Sequence, residues 1–275
     1  MDYGIHLPQY GSAAGPDAIR RAAVSAEELG FRDVWVSDHV VQPVGQDYPS
    51  PYLFDPLLTL TWAGAVTTRV GLGTSVLVLP QHHPVYLANA LASLDALTDG
   101  RVTVVGGVGW SAGEFAALGQ SFHDRRKRTD EIIDVLRVCW GPDPVAYTGR
   151  YYSFEPLRIL PKPPHAIPIW VGGSSEVAFR RAIAKGDGFQ MIGLDPPGAS
   201  VIVERLRRER PEHSFTISLR TGWDPQGMEP DRIKRERDDF EAAGVQHVVA
   251  APWRRSVDEW MRSVELLAGL VGVAA

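Results

Sequence analysis

Short β-rich runs alternate eight times with longer runs of helical period along this chain, and few architectures accommodate that pattern. The β-rich runs cover residues 2–7, 33–36, 70–76, 102–105, 168–171, 188–192, 214–219 and 246–250. Helical patterns follow them at 16–29, 56–67, 85–97, 125–140, 174–185, 197–208, 231–243 and 257–270. A strand followed by a helix feeds a parallel sheet, because the chain must cross back before the next strand begins, and eight such units close a (β/α)8 barrel. Gly30, Gly141, Gly186 and Gly244 stand where helix C-caps are needed. A length of 275 residues suits one barrel, so residues 1–275 are expected to form a single domain. Two insertions break the rhythm, after strands two and four. Residues 42–52 form a long loop, and residues 142–168, with Tyr151-Tyr152-Ser153-Phe154, are read as a hairpin lying over the barrel mouth.

Composition removes several function classes. A net charge of -5, with no basic run beyond Arg125-Arg126-Lys127-Arg128, argues against a nucleic-acid partner. The single Cys139 leaves no disulfide framework or thiolate metal site. His82 and His83 are adjacent and have no metal-spaced acidic partner; they read as a Pro-led helix start with a surface histidine, and no metal is expected. No apolar run reaches about 18 residues, and Met1-Asp2-Tyr3-Gly4 lacks the basic start of a signal peptide, so a cytoplasmic protein with no membrane partner is expected.

In such a barrel chemistry belongs at the strand C-termini. Pro168-Ile169-Trp170-Val171-Gly172-Gly173-Ser174-Ser175 ends a strand in two glycines and two hydroxyls at a helix start, where free N–H groups and the helix dipole favour an anion; the plain alternative is an N-cap serine. Ser37-Asp38-His39 places an imidazole beside a carboxylate, suited to proton transfer or to tying down a loop. Thr74-Ser75-Val76 ends the third strand. Gly107 and Gly109 belong to a run that fails G-x-G-x-x-G by one residue. The segment Gly109-Trp110-Ser111-Ala112-Gly113 does match G-x-S-x-G, which would make Ser111 a hydrolase nucleophile with Asp224 or Asp231 and His247 as partners. No His-Gly oxyanion loop accompanies it.

Asp38-His39, Gly73 to Leu77 with His83-Pro84, Gly107 to Trp110 with Glu114, Arg125 to Trp140 and Pro168 to Ser175 together resemble the bacterial luciferase-like flavin and deazaflavin oxidoreductases, in order and spacing. The branch using coenzyme F-420, a deazaflavin, is most similar. The resemblance implies a luciferase-like (β/α)8 TIM barrel in which the ring lies over a bulge at Ser75-Val76, often carrying a non-proline cis peptide. It assigns cofactor contacts to Thr74, Ser75, Val76, Gly107, Gly109, Gly172, Gly173, Ser174 and Ser175, with the last four on the phosphate. His39, with Asp38, would be the proton donor or orienter, and Glu114 and the Arg125 region would shape the rim. The implied reaction is hydride transfer between F-420 and a small organic substrate; with FMN the same scaffold would be a monooxygenase, and without catalysis a flavin-binding barrel. A homodimer is also implied, using apolar stripes such as Leu57, Leu58, Trp62 and Leu91, which alternatively just cover the sheet.

Overall fold

The structure, a computed structural model, describes residues 1–46, 48 and 50–273. Eight parallel strands close a barrel: β1 (Asp2–His6), β2 (Asp33–Val36), β3 (Gly71–Val78), β4 (Val102–Gly107), β7 (Ile169–Gly172), β8 (Gly188–Ile192), β9 (Thr216–Thr221) and β10 (His247–Ala250), with β1 bonded to both β2 and β10. Around it lie α1 (Pro16–Glu28), α2 (Pro56–Gly64), α3 (Pro84–Leu97), α5 (Arg125–Trp140), α6 (Glu176–Lys185), α7 (Pro196–Glu209), α8 (Pro230–Ala242) and α9 (Val257–Val271). A short α4 (Ala112–Ala117) follows β4, and β5 (Val145–Thr148) pairs antiparallel with β6 (Ser153–Leu157). The expected order of eight strand-helix units is therefore observed. Five of the helices start on proline, which fits the first turn because its missing N–H would have had no partner there. Among the described residues no helix is long and apolar enough to cross a membrane.

Helix endings follow two chemistries. Gly30 and Gly244 turn the chain at φ 86° and 91°, whereas Gly141 and Gly186 close α5 and α6 in extended conformation. The apolar stripes of α2 and α3 are divided: Leu60, Leu87, Leu91 and Leu94 are buried against the barrel, while Leu58 and Trp62 remain exposed.

The hairpin expected over the mouth forms but lies elsewhere. The Glu131 carboxylate of α5 accepts the N–H groups of Arg150, Tyr151 and Tyr152 at 3.2, 2.9 and 2.8 Å, and Tyr147, Phe154 and Leu157 pack on the core. Those contacts hold β5 and β6 along α5, on the outside wall, and neither strand lines the main cavity.

Inside the barrel an apolar knot and a polar column share the space. Trp35, Val105, Trp170 and Val249 form the knot, with the two indole rings 5.6 Å apart. Trp35 fits because β1 and β3 offer it glycines: a Cβ on Gly4 or Gly73 would come within 2.3 Å of its ring. Beside it Ser75 Oγ donates to Gln190 Oε1 (2.5 Å), Gln190 Nε2 donates to Ser218 Oγ (3.3 Å), Ser218 Oγ meets His247 Nδ1 (2.8 Å) and His247 Nε2 meets Asp33 Oδ1 (3.0 Å). Burial pushes the Asp33 carboxyl up, but His247, Trp35 and Arg32 outweigh it and hold the group below the usual carboxylate range.

Candidate active site at the strand C-termini

The strand C-termini surround a cavity of about 600 Å³. On β3 the ladder to β4 passes from Ser75↔Val105 to Leu77↔Gly106, leaving Val76 unpaired in a bulge, and the Ser75–Val76 peptide is cis. The expectation of a bulge at this point is thus observed. Val76 projects into the mouth between two glycines: a Cβ on Gly107 would lie 2.5 Å from one Val76 methyl, and a Cβ on Gly172 2.4 Å from the other. The result is a smooth wall made of backbone and one valine.

The remaining residues assigned to a cofactor divide. Gly109, Gly173 and Ser174 line the cavity. Ser175 does not; its hydroxyl accepts the Ala178 N–H at 3.3 Å as the N-cap of α6, so the plain N-cap alternative holds at this serine. Thr74 is also withdrawn, buried with its hydroxyl accepting the Val105 N–H at 3.1 Å. A threonine oxygen that supports the β3–β4 ladder from within the sheet has none left for a ligand.

Asp38 and His39 both line the mouth but are not partners. Asp38 Oδ2 accepts the Val78 N–H (2.8 Å) and meets His82 Nε2 (2.9 Å), while its Oδ1 is buried without a partner. His39 Nδ1 instead meets Glu114 Oε2 at 3.1 Å, and Glu114 Oε1 accepts the Val40 N–H at 2.6 Å. Past the end of β2 the two side chains diverge, the carboxylate toward Val78 and His82 and the imidazole toward α4. Burial pushes Glu114 up, but the hydrogen bonds from His39 and the Val40 N–H prevail and hold it below its ordinary value. Of the adjacent pair read as a Pro-led helix start with a surface histidine, His83 is exposed at the start of α3, whereas His82 is largely covered; burial lowers His82, but the bond and charge of Asp38 outweigh that, for a net rise.

Ser111 is corrected as a nucleophile. It caps α4, accepting the Glu114 N–H at 3.4 Å and donating to Gln46 Oε1 at 3.1 Å. His247 lies at the opposite end of the barrel on Asp33, and Asp224 is engaged by Arg254 and Ser263. Among the described residues nothing assembles a base beside Ser111. Arg125 Nε donates to the Gly109 carbonyl at 3.2 Å while its guanidinium lies 3.6 Å from the Phe122 ring centroid, so it supports the glycine run from behind.

Among the lining residues not anticipated from sequence, three carry polar or aromatic groups into the mouth. Arg220 is the penultimate residue of β9, one past the run assigned from sequence, and reaches across the mouth to donate from Nη1 to the Ser75 carbonyl and to Ser37 Oγ (3.2 Å). Trp253 stacks against Tyr10 with centroids 4.8 Å apart, and Tyr48 stacks on Trp110 at 6.4 Å. Position at a strand C-terminus was the signal for Arg220; the two aromatics sit in irregular loops that carry none. Below Arg220, His6 is buried, with Nδ1 on the Leu7 carbonyl and Nε2 on Ser37 Oγ, both at 2.9 Å. Burial and the Arg220 charge hold this imidazole well below the usual histidine range.

Residues 3–224 match the family model for luciferase-like monooxygenases. An uncharacterized protein of Mycobacterium tuberculosis is 34% identical over 217 residues, 72% of this chain and 76% of that protein. An F-420-dependent glucose-6-phosphate dehydrogenase of Amycolatopsis mediterranei is 34% identical over 182 residues, 64% of this chain and 53% of the enzyme. Among solved structures, monooxygenase RslO1 from Streptomyces bottropensis superposes with a TM-score of 0.83 at 22% identity, covering 98% of each chain, a likeness of fold. A family match running from β1 to just past β9, over a barrel whose third strand bulges into the mouth, has one reading: this chain belongs to the luciferase-like monooxygenase family.

Proposed function

We propose that the protein is an oxidoreductase that uses coenzyme F-420 to exchange a hydride with a small organic substrate. The observation that carries this reading is the His39–Glu114 pair at the edge of a smooth, glycine-lined wall. The site suits a flat ring with a phosphate-bearing tail. Val76 between Gly107 and Gly172 offers a planar face that any Cβ at either glycine would obstruct. Asp38 Oδ1 is a buried acceptor waiting for a donor, and Gly173 and Ser174 lie at the N-terminal end of α6. When bound, the deazaflavin supplies the hydride chemistry. Similarity to the Amycolatopsis enzyme supports F-420 over FMN.

The chain's own part is orientation and a proton. Glu114 accepts from His39 Nδ1–H and so fixes the ring and its tautomer, leaving Nε2 as the atom that holds or moves a proton at the substrate. The Val40 N–H and His39 itself keep Glu114 ionised for that task. Val76 and the glycines exclude water from one face of the bound ring.

Titrating the purified chain with F-420 and with FMN, read by absorbance and fluorescence, tests the assignment. F-420 is expected to bind about tenfold more tightly or better. With a substrate found by screening F-420-linked reductions of enones, imines and aldehydes, His39→Ala should leave F-420 affinity within a few-fold and lower turnover by roughly 10²–10⁴. Binding of FMN alone, or equal turnover by His39→Ala, would overturn the reading.

A further inference from the structure

Arg220 is charged, half-buried and, among the described residues, without a counter-ion. No carboxylate among the described residues lies within salt-bridge distance of it, although nearly every other buried or half-buried arginine in the barrel wall is paired or saturated with carbonyls, as Arg181 is by Asp130 and Arg101 by Gly64, Thr67 and Val70. Its protein bonds all leave from Nη1, to Ser37 Oγ and the Ser75 carbonyl. Nε and Nη2 have no protein acceptor among the described residues, yet neither is a sealed, unsatisfied atom; they open to the cavity that Arg220 lines. The groups around the guanidinium cannot neutralise it. His6 is held uncharged, and Tyr10 and Tyr48 are phenols, Tyr10 being pushed upward by burial. A desolvated cation kept this way costs free energy unless something anionic completes it.

The surroundings define the rest of the ligand. The Arg220 guanidinium carbon is 5.5 Å from the Trp253 ring centroid, and the indoles of Trp253 and Trp110 are about half exposed, at 46% and 51%. Val76, Val78 and Ile192 add apolar surface. A planar fork of free N–H groups set among aromatic faces matches a planar oxyanion on an apolar body.

We propose that Arg220 is the anion-recognition residue of this cavity and that the substrate is an apolar, aromatic or unsaturated carboxylate whose carboxylate docks on Nε and Nη2. The word substrate rests on the oxidoreductase reading above; the anion site does not. An anionic edge of a bound deazaflavin would offer Arg220 the same chemistry, and the test separates the two sources.

The probes are cinnamate and 4-hydroxybenzoate with their primary amides, titrated by calorimetry into the chain with and without F-420, for the wild type, Arg220→Lys and Arg220→Gln. The wild type should prefer at least one carboxylate over its amide by about tenfold or more. Arg220→Lys should keep part of that preference and Arg220→Gln none, with F-420 affinity changed less than about threefold in both. A wild type with no preference for either carboxylate overturns the proposal without recourse to any variant. So does an Arg220→Gln protein that keeps the preference, or one that keeps it while losing F-420 affinity, which would assign the charge to the cofactor. Failure of the wild type to bind F-420 would remove the oxidoreductase reading and leave the anion site standing on the carboxylate titrations.

Discussion

Ser174 and Ser175 look interchangeable in sequence, yet one faces the cavity and the other is spent on its own helix. Ser175→Ala should therefore cost about 1 kcal/mol of stability in urea unfolding, the usual loss of an N-cap, with F-420 affinity nearly unchanged. Ser174→Ala should do the reverse, weakening F-420 with little effect on the unfolding midpoint. The Asp38–His82 pair carries a pH signature. His82 is raised above its unfolded value, so its contribution is fully present below about pH 6.5 and fades as pH rises through the higher folded value. The stability gap between wild type and His82→Gln, measured by urea unfolding, should be wider at pH 5.5 than at pH 9; an equal gap would show that the imidazole is uncharged in the fold. Sequence identified Asp38 and His39 but mispaired them, because neighbours along a chain suggest a contact that these two side chains, diverging past the end of β2, do not make. Glu114 and His82, their true partners, arrive from 75 and 44 residues away, a separation no local pattern encodes.

β3 is the element on which the mouth depends. Its bulge turns Val76 out of the ladder, and β4 and β7 receive it with Gly107 and Gly172. Gly172→Ala should strain this contact by about 1–3 kcal/mol, the range for overpacking, and weaken F-420 binding. Combining it with Val76→Ala should recover much of the stability, since the clash is with a Val76 methyl 2.4 Å from the added carbon. A double variant no more stable than Gly172→Ala would place the strain elsewhere. Elements of this kind were largely legible, because alternation of two hydrophobic periods sets strand order and proline and glycine mark the ends. The hairpin of β5 and β6 was legible as a hairpin but not in its place: Tyr147, Phe154 and Leu157 could bury against any apolar wall, and the Glu131 cap that selects α5 is a tertiary contact.

Across the whole molecule the mouth is continuous with the base through the buried column of Ser75, Gln190, Ser218, His247 and Asp33. Asp33 is held below its unfolded value, so its contribution is present above about pH 3.9 and lost as pH falls through the lower folded value. The stability gap between wild type and Asp33→Asn should accordingly be wider at pH 7 than at pH 3, as measured by urea unfolding. The column also has a direction. Asp33 can only accept, so His247 donates to it from Nε2, while Ser218 accepts from the Gln190 amide, whose carbonyl takes the Ser75 hydroxyl. The hydrogens of these three bonds point away from the mouth, and their small dipoles add. The barrel interior thus has an electrical polarity, with the Asp33 carboxylate at its base and the Arg220 cation anchored to the Ser75 carbonyl at its mouth. Exchanging a member for a residue of opposite donor sense would set two donors or two acceptors face to face, so each of these five positions constrains its neighbour in the column.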